Sequence, residues 1–280
     1  MIITGLVMLL KNKKFLFGFS SMTLLIFISV VGTLVIPAEY ARLMSFEPGL
    51  APSVSHILGT DGYGRDVFAV VVFGTLQSLY IGAMAGTIGT VVSVIVGFTS
   101  GYKRGKIDVL LRNITNVFLV IPTWPLIVII SIMVRTISIP QMAIILAAFS
   151  WPWAARTLRS QVLAYRTLPF VEVAKVSGET DFDIAFKEIL PNILPYIGSG
   201  FCYAFTGAML AEVSLEVIGL SPPGAITLGM ILHLAISSGA MSHGYFWWIF
   251  PPPAILVIVF VSLQMINIGM DEIYNPRLRK

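Results

Sequence analysis

Four clusters of residues in this 280-residue sequence have types and spacing that could do chemistry. Glu212 and Glu216 are four apart, so on a helix they share one face. The uncharged run Ile189–Ala211 lies directly before them. If a helix starts near Leu194, Glu212 lies about 27 Å along it at 1.5 Å per residue. Carboxylates at that depth either line an outer gate, facing protein or water, or sit at a helix end and snorkel out. In the same run Tyr203 and Thr206, with Cys202, form a polar patch that either lines a pathway or packs helix on helix. A third cluster, His56-Ile57-Leu58-Gly59-Thr60-Asp61-Gly62-Tyr63-Gly64-Arg65-Asp66, sets opposite charges among glycines. It forms a local ion-pair and turn network, or it touches a solute or a binding protein. The fourth lies between Glu172 and Glu188, where seven charges fall in seventeen residues.

None of these is a catalytic set. The sequence has no G-x-x-x-x-G-K-[ST] loop to cradle nucleotide phosphates, no H-E-x-x-H and no G-x-S-x-G. His56, His233 and His243 stand at no metal-ligand spacing, so no metal site is expected. The single cysteine, Cys202, can form no internal disulfide and reads as a small apolar residue.

The elements that position these clusters follow from composition. The chain is 56% hydrophobic and 11% charged, with a mean hydropathy of +0.89. Soluble domains carry about a quarter charged residues. The expected fold is therefore an all-α integral membrane protein. Windows free of Asp, Glu, Lys and Arg run over Phe15–Ala38, Val67–Tyr102, Asn113–Val134, Thr136–Ala155, Ile189–Ala211 and Val217–Met270. Each reaches the ~20 residues that cross a bilayer, and backbone in lipid must be helical. The second window, of 36 residues, has room for a span plus an interfacial helix over Val67–Gly74. The last is punctuated by Ser221-Pro222-Pro223-Gly224 and Pro251-Pro252-Pro253, and reads as the end of span five, an outer loop and span six. About six transmembrane helices result. The expected divisions are 1–14, a first span over 15–36, an outer loop over 37–66 and a five-span core over 67–280. The first span is too long for a cleaved signal and reads as an anchor.

With the N-terminus inside, four segments face the cytoplasm: the first 14 residues, the loops after spans two and four, and the tail. They hold 15 of the 18 basic residues, all but Arg42, Arg65 and Arg135. That is the positive-inside pattern, with both termini cytoplasmic. It accounts for the net charge of +4 without nucleic acid.

The charged segment over 165–192 is then cytoplasmic. Thr167-Leu168-Pro169 resembles a helix start, and Gly178 ends that helix. Thr180 offers an N-cap, with Asp181 and Asp183 in the first turn of a second helix. Phe182, Phe186, Ile189 and Leu190 recur at helical spacing on one face. Two short amphipathic helices with a bend are expected. They either connect two spans or dock a cytosolic partner, for which Phe182 and Phe186 are the anchors.

At these residues the sequence resembles a known family. Glu172-Val173-Ala174, then Gly178, then Ile189-Leu190-Pro191 is similar to the "EAA" motif of ABC importer permeases, with Val173 in place of the middle Ala. The 56–66 stretch resembles the "H-x-x-GTD-x-x-GRD" signature of the second, C-type permease in the dipeptide/oligopeptide/nickel branch. Glu212-Val213-Ser214-Leu215, Ile218-Gly219-Leu220 and Pro222-Pro223 resemble the run after span five, with Glu216 for a Ser and Ser221 for a Gly. Asn267, Asp271 and Asn275-Pro276-Arg277 resemble the closing motif, with Asn275 for Asp.

The resemblance implies a type I importer permease with a cytoplasmic coupling helix, in the inner or plasma membrane. It assigns ATPase coupling to Glu172, Ala174, Gly178, Phe182, Phe186, Leu190 and Pro191. It gives His56, Gly59, Thr60, Asp61, Gly64, Arg65 and Asp66 to the outer signature. Its implied partners are a second permease, two cytosolic ATPases that bind ATP and Mg, an extracellular solute-binding protein and membrane lipid. This chain would itself hold no cofactor. The solute is a di- or oligopeptide or an oligosaccharide, with nickel also handled by the branch. The rival classes are a self-contained channel or secondary transporter, which should place acidic residues mid-span, and an intramembrane enzyme.

Overall fold

The computed structural model describes residue 9 and residues 11–103, 105–134 and 137–274. Arg104, Arg135 and the tail from Asn275 onward, with Pro276, Arg277, Arg279 and Lys280, lie outside the described residues. Among the described residues the chain is helical. Its one piece of β pairing is an isolated antiparallel bridge between Thr60 and Asp66. The helices are α1 (Lys13–Val35), α2 (Val67–Lys103), α3 (Gly105–Val120), α4 (Thr123–Met133), α5 (Ile139–Tyr165) and α6 (Pro169–Val176). A one-turn α7 (Asp181–Asp183) and a π-helical segment, Ile184–Ile189, lead without a break into α8 (Leu190–Val217). Then come α9 (Leu228–Ser237), α10 (Phe246–Ile249) and α11 (Pro251–Tyr274).

Four helical stretches are long and apolar enough to cross a membrane, and the bent pair α3 and α4 makes a fifth if it is taken as one broken span. At 27 residues α5 is long enough for the sixth, although Arg156 and Arg159 make it more polar. It packs along α2 in the most extensive helix pairing of the bundle. α1 lies mainly against α11. A Cβ at Gly18 would sit 2.4 Å from the Ser262 carbonyl, and one at Gly269 would sit 2.6 Å from Phe15 Cβ. These glycines let the two backbones touch, which is how helices associate where no hydrophobic effect drives them. The Ser21 and Ser262 hydroxyls bond at 2.8 Å, and Lys14 pairs with Glu272 at the end of the seam.

The structure corrects several expectations. No interfacial helix separates over Val67–Gly74: α2 is one helix of 37 residues, about 55 Å long. Gly74 does not break it. Its missing Cβ makes room for Ile231 and the Thr227 backbone, which pack there. The third window is not one straight span. It starts before Asn113, at Gly105, and bends by 81° between α3 and α4. Pro122 causes the break, because the residue before a proline is driven out of the α region and Pro122 has no N–H to donate. The fourth span continues past Ala155 to Tyr165, since Arg159 is paired with Asp108 at 2.6 Å. The outer loop after span five contains α9, which no charge pattern marks.

The second helix of the 165–192 segment is not separate either. It runs straight into span five through the π turn. A regular α-helix would drive the Pro191 ring against the carbonyl four residues back. The π turn widens the coil, with Leu190 N–H bonded to the Ala185 carbonyl, and the Asn192 side chain donates to the Glu188 carbonyl at 2.6 Å.

Candidate functional site

At one end of the bundle the 165–192 segment is a packed structure. Leu168 is the N-cap of α6 and Pro169 its first residue, where a missing N–H does no harm. The helix ends at Val176, and Gly178 turns the chain at φ +81°. A Cβ there would meet nothing within 4 Å, so the need for glycine is conformational, not spatial. The Thr180 hydroxyl accepts from Asp183 N–H at 3.2 Å, as its N-cap position requires. Val171, Ala174, Ile184 and Ile189 then pack on Leu158 and Val162 of α5 and Ile193 of α8. Tyr102 at the end of α2 donates to Asp181 at 2.9 Å, and Arg166 lies over the Tyr102 ring.

The expected single apolar face is therefore split. Ile189 is buried and Leu190 half-buried, whereas Phe182 and Phe186 are 68% and 51% exposed. The π turn accounts for this, because it rotates every later side chain relative to Phe182. The two rings meet at a tilt of 32° with centroids 4.4 Å apart, and Phe186 also meets Phe98 at 6.4 Å. Val173 and Val176, at 65% and 90% exposure, are further bare apolar residues of this segment, which the sequence reading missed. Helical spacing was the available signal, since the two are three apart on α6. Glu172 is exposed and bonded to Lys175 at 3.0 Å, Ala174 is buried and Pro191 half-buried.

In mid-bundle, α4, α5 and α8 line an open cavity of about 370 Å³. Trp124 stands at its lip, in the first turn after the Pro122 break. Trp153 and Tyr203 lie near the middle of their helices, and Thr157 and Ser150 add hydroxyls. No Asp, Glu, Lys, Arg or His lines it. Tyr203 and Thr206 also border a second cavity, of about 340 Å³, with Gln264 and Asn267 of α11. Cys202 is buried against apolar neighbours. Trp151 and Trp248 are core residues, and Trp153 is exposed.

Glu212 and Glu216 do not snorkel. Both are fully buried where α8 meets α2 and α9. Ser78 donates to Glu212 at 2.8 Å, and the Thr227 hydroxyl donates to Glu216. Leu228 N–H reaches the Ser78 hydroxyl at 3.0 Å, and Ile226 N–H reaches Gln77 at 3.0 Å. The carboxyl pair thus fixes the N-terminus of α9, with Gly229 small enough to lie against Glu216. The two carboxyls are within hydrogen-bonding reach of each other, and Glu212 Oε2 and Glu216 Oε1 have no other partner. Gln77, Ser78 and Thr227 were missed because no sequence signal announces α9 folding back.

At the opposite end from Phe182, residues 37–66 form a compact cap. Arg65 Nε donates to buried Asp61 at 2.6 Å, and Asp61 also accepts from the N–H groups of Tyr63 and Arg65. Asp66 pairs with His56 at 2.8 Å rather than with Arg65, and accepts from Ala69 N–H in the first turn of α2. Gly59 and Gly64 hold φ of +64° and +72°, each turning where a Cβ would strike a carbonyl at 2.4 Å. Thr60 is buried, donating to the Glu47 carbonyl at 2.7 Å, and its own carbonyl accepts from Trp247 at 3.1 Å. The signature is an ion-pair and turn network.

A family model described as the binding-protein-dependent transport system inner membrane component matches residues 89–280. The chain belongs to this family. It is a multi-pass membrane permease subunit. The permease is 29% identical over 271 residues to the dipeptide transport system permease protein DppC of Bacillus subtilis, covering 96% of this chain and 84% of that one. It is 28% identical over 234 residues to the oligopeptide transport system permease protein OppC of Lactococcus lactis subsp. cremoris, covering 83% and 79%. A putative peptide transport system permease of Brucella abortus is 25% identical over 279 residues, covering 97% and 90%.

Proposed function

We propose that this permease forms half of the translocation pathway of an ATP-driven importer for di- or oligopeptides. A second permease completes the pathway, an extracellular binding protein delivers the peptide, and two cytosolic ATPases supply the energy. Both termini and the 165–192 loop face the cytoplasm, in keeping with the basic residues. The 56–66 signature braces the outer entrance. The names of the relatives supply the peptide class. The cavity between α4, α5 and α8 suits a solute that needs aromatic and hydroxyl contacts. ATP binding would close the ATPase pair and move the coupling loop, switching the bundle between inward- and outward-facing states.

One observation carries this reading. The loop is rigidly packed on α5 and α8 yet leaves Phe182, Phe186, Val173 and Val176 bare. A loop that only joined two spans would not need bare apolar residues on a rigid base. Such a patch suits an aromatic-anchored interface with a soluble partner, and it can pass force to the spans through the continuous helix Asp181–Val217. Truncating a buried anchor commonly costs about 2 kcal/mol, roughly a thirtyfold weakening. Phe182→Ala with Phe186→Ala should leave the chain inserted and peptide binding to its receptor unchanged. Co-purification of the ATPases and peptide uptake should both fall. Full ATPase association with full uptake in that variant would show the loop to be a connector.

A further inference from the structure

A smaller cavity, of about 140 Å³, lies between α2, α3 and α5 near the end of the bundle that carries the coupling loop. Arg112, Thr115 and Asn116 of α3, Arg156 and Arg159 of α5 and Gly97 of α2 form its wall. We propose that it holds the phosphate of an anionic lipid headgroup from the cytoplasmic leaflet.

Charge is the first argument. Arg159 is fully engaged by Asp108, with Nε on Oδ1 at 2.6 Å and Nη2 on Oδ2 at 2.8 Å, and Ser100 donates to the same carboxylate at 2.6 Å. Asp108 thus offsets one arginine, and Arg112 also stands within its field, so three arginines against one aspartate leave the cluster with an excess of two positive charges. Arg112 and Arg156 remain. Neither makes an ion pair among the described residues, and the Asn116 amide makes no hydrogen bond there. Two forked cations and an amide donor around one small cavity match the acceptor oxygens of a phosphate.

Depth is the second argument. Arg112 is seven residues from the start of α3, Arg156 nine from the end of α5 and Ser100 three from the end of α2. At 1.5 Å per residue these are about 10, 14 and 5 Å. α2 is about 55 Å long, against a hydrocarbon core of about 30 Å, so its ends stand among headgroups. The cavity therefore lies at headgroup level, where basic pockets between spans meet anionic lipid.

Access is the third. On α5 the residues that face the large cavity (Ser150, Trp153, Thr157) and those that face this one (Ala155, Arg156, Arg159) are separated by roughly 140° at 100° per residue. This cavity is therefore separate from the large one, and Arg112, Asn116 and Arg156 in its wall are exposed, so it can be reached from outside the bundle. Around Arg112, Val109, Leu110, Ile114 and Val117 are all exposed, an apolar surface for acyl chains.

The test is native mass spectrometry of the assembled complex after exposure to an equal mixture of phosphatidylglycerol and phosphatidylcholine. It requires no solute or transport, so it stands apart from the peptide reading, and it borrows from that reading only which leaflet is cytoplasmic. The complex should retain phosphatidylglycerol preferentially. Arg112→Ala with Arg156→Ala should cut that preference roughly thirtyfold, about fivefold for each arginine. Lys106→Ala, which removes a nearby cation outside the cavity, should leave it unchanged. Arg112→Lys with Arg156→Lys keeps the charge and should keep most of the preference, which separates lost binding from misfolding. Equal retention of the two lipids by the unaltered complex overturns the proposal. So does a preference that survives the double alanine variant, or one that Lys106→Ala lowers as much. Inorganic phosphate should not displace the lipid; displacement would mark a site for free anions and overturn the lipid assignment.

Discussion

Asp61 is fully buried, and among the described residues the cation paired with it is Arg65. Breaking a buried pair from one side strands the other charge, at a cost of about 3–5 kcal/mol. Arg65→Ala should therefore lower the thermal unfolding temperature of the purified complex and its yield. Normal stability with loss of peptide delivery alone would instead assign Arg65 to solute or receptor contact. Glu212 and Glu216 pose a different problem, since Glu212 Oε2 and Glu216 Oε1 are buried with no partner outside the carboxyl pair. Glu212→Gln supplies an N–H₂ in the same volume and keeps an oxygen for Ser78, so stability should hold or rise. Glu212→Ala opens a void and strips Ser78 of its acceptor, and should cost about 2–4 kcal/mol in the same unfolding assay. The i, i+4 spacing made the Glu212–Glu216 pairing legible in the sequence, and opposite charges among glycines announced an ion pair for Arg65 without choosing between Asp61 and Asp66. The His56–Asp66 pair, ten apart, needed the turn to be seen first. Burial of the carboxyls was not legible, because it depends on α9, which meets them from a different part of the chain.

The helices were legible where their signals are local. Pro169, Gly178 and Thr180 start, stop and restart the chain as their chemistry requires. The break at Pro122 had its signal in plain view, a proline inside an apolar window, yet apolar length alone masked it. The π turn was illegible, because it settles a conflict between Pro191 and a helix that tertiary packing keeps continuous. Close helix contact is a further property that composition hides. The α1–α11 seam rests on Gly18 and Gly269, and neither stands in a motif. A side chain at Gly18 would meet backbone at 2.4 and 2.8 Å, which no rotamer can relieve. Gly18→Val should therefore push α1 off α11. Cysteines placed at Ser21 and Ser262, whose hydroxyls lie 2.8 Å apart, read this directly. With Cys202 replaced by serine, the pair should crosslink readily in the parent and poorly with Gly18→Val. Equal crosslinking in both would mean that the seam has another origin.

At the scale of the whole molecule, two features stand on the same rigid helix. α8 carries Tyr203 into the mid-bundle cavity, and through the π turn it carries Phe186 to the bare patch. The distance between them is roughly 25 Å along the helix at 1.5 Å per residue. The proposed solute contact and the proposed partner contact are therefore separate in space and joined by one helix. If the cavity is the pathway, variants there should fail differently from variants in the loop. Trp153→Ala with Tyr203→Ala removes aromatic surface from the cavity wall and touches nothing in the coupling patch. ATPase co-purification should stay at the parent level. Peptide uptake should change in KM or in its ranking of peptides by about tenfold, equivalent to roughly 1.4 kcal/mol, a modest loss for two aromatic contacts. Phe182→Ala with Phe186→Ala should show the reverse pattern, with ATPase lost and any residual uptake keeping its ranking. Uptake kinetics and co-purification on the same two preparations decide the matter. If the cavity variant also sheds the ATPases, α8 is being deformed and the two ends are not separable. If it changes neither uptake nor ranking, the peptide passes elsewhere, and the second cavity, beside Gln264 and Asn267, becomes the wall to alter next.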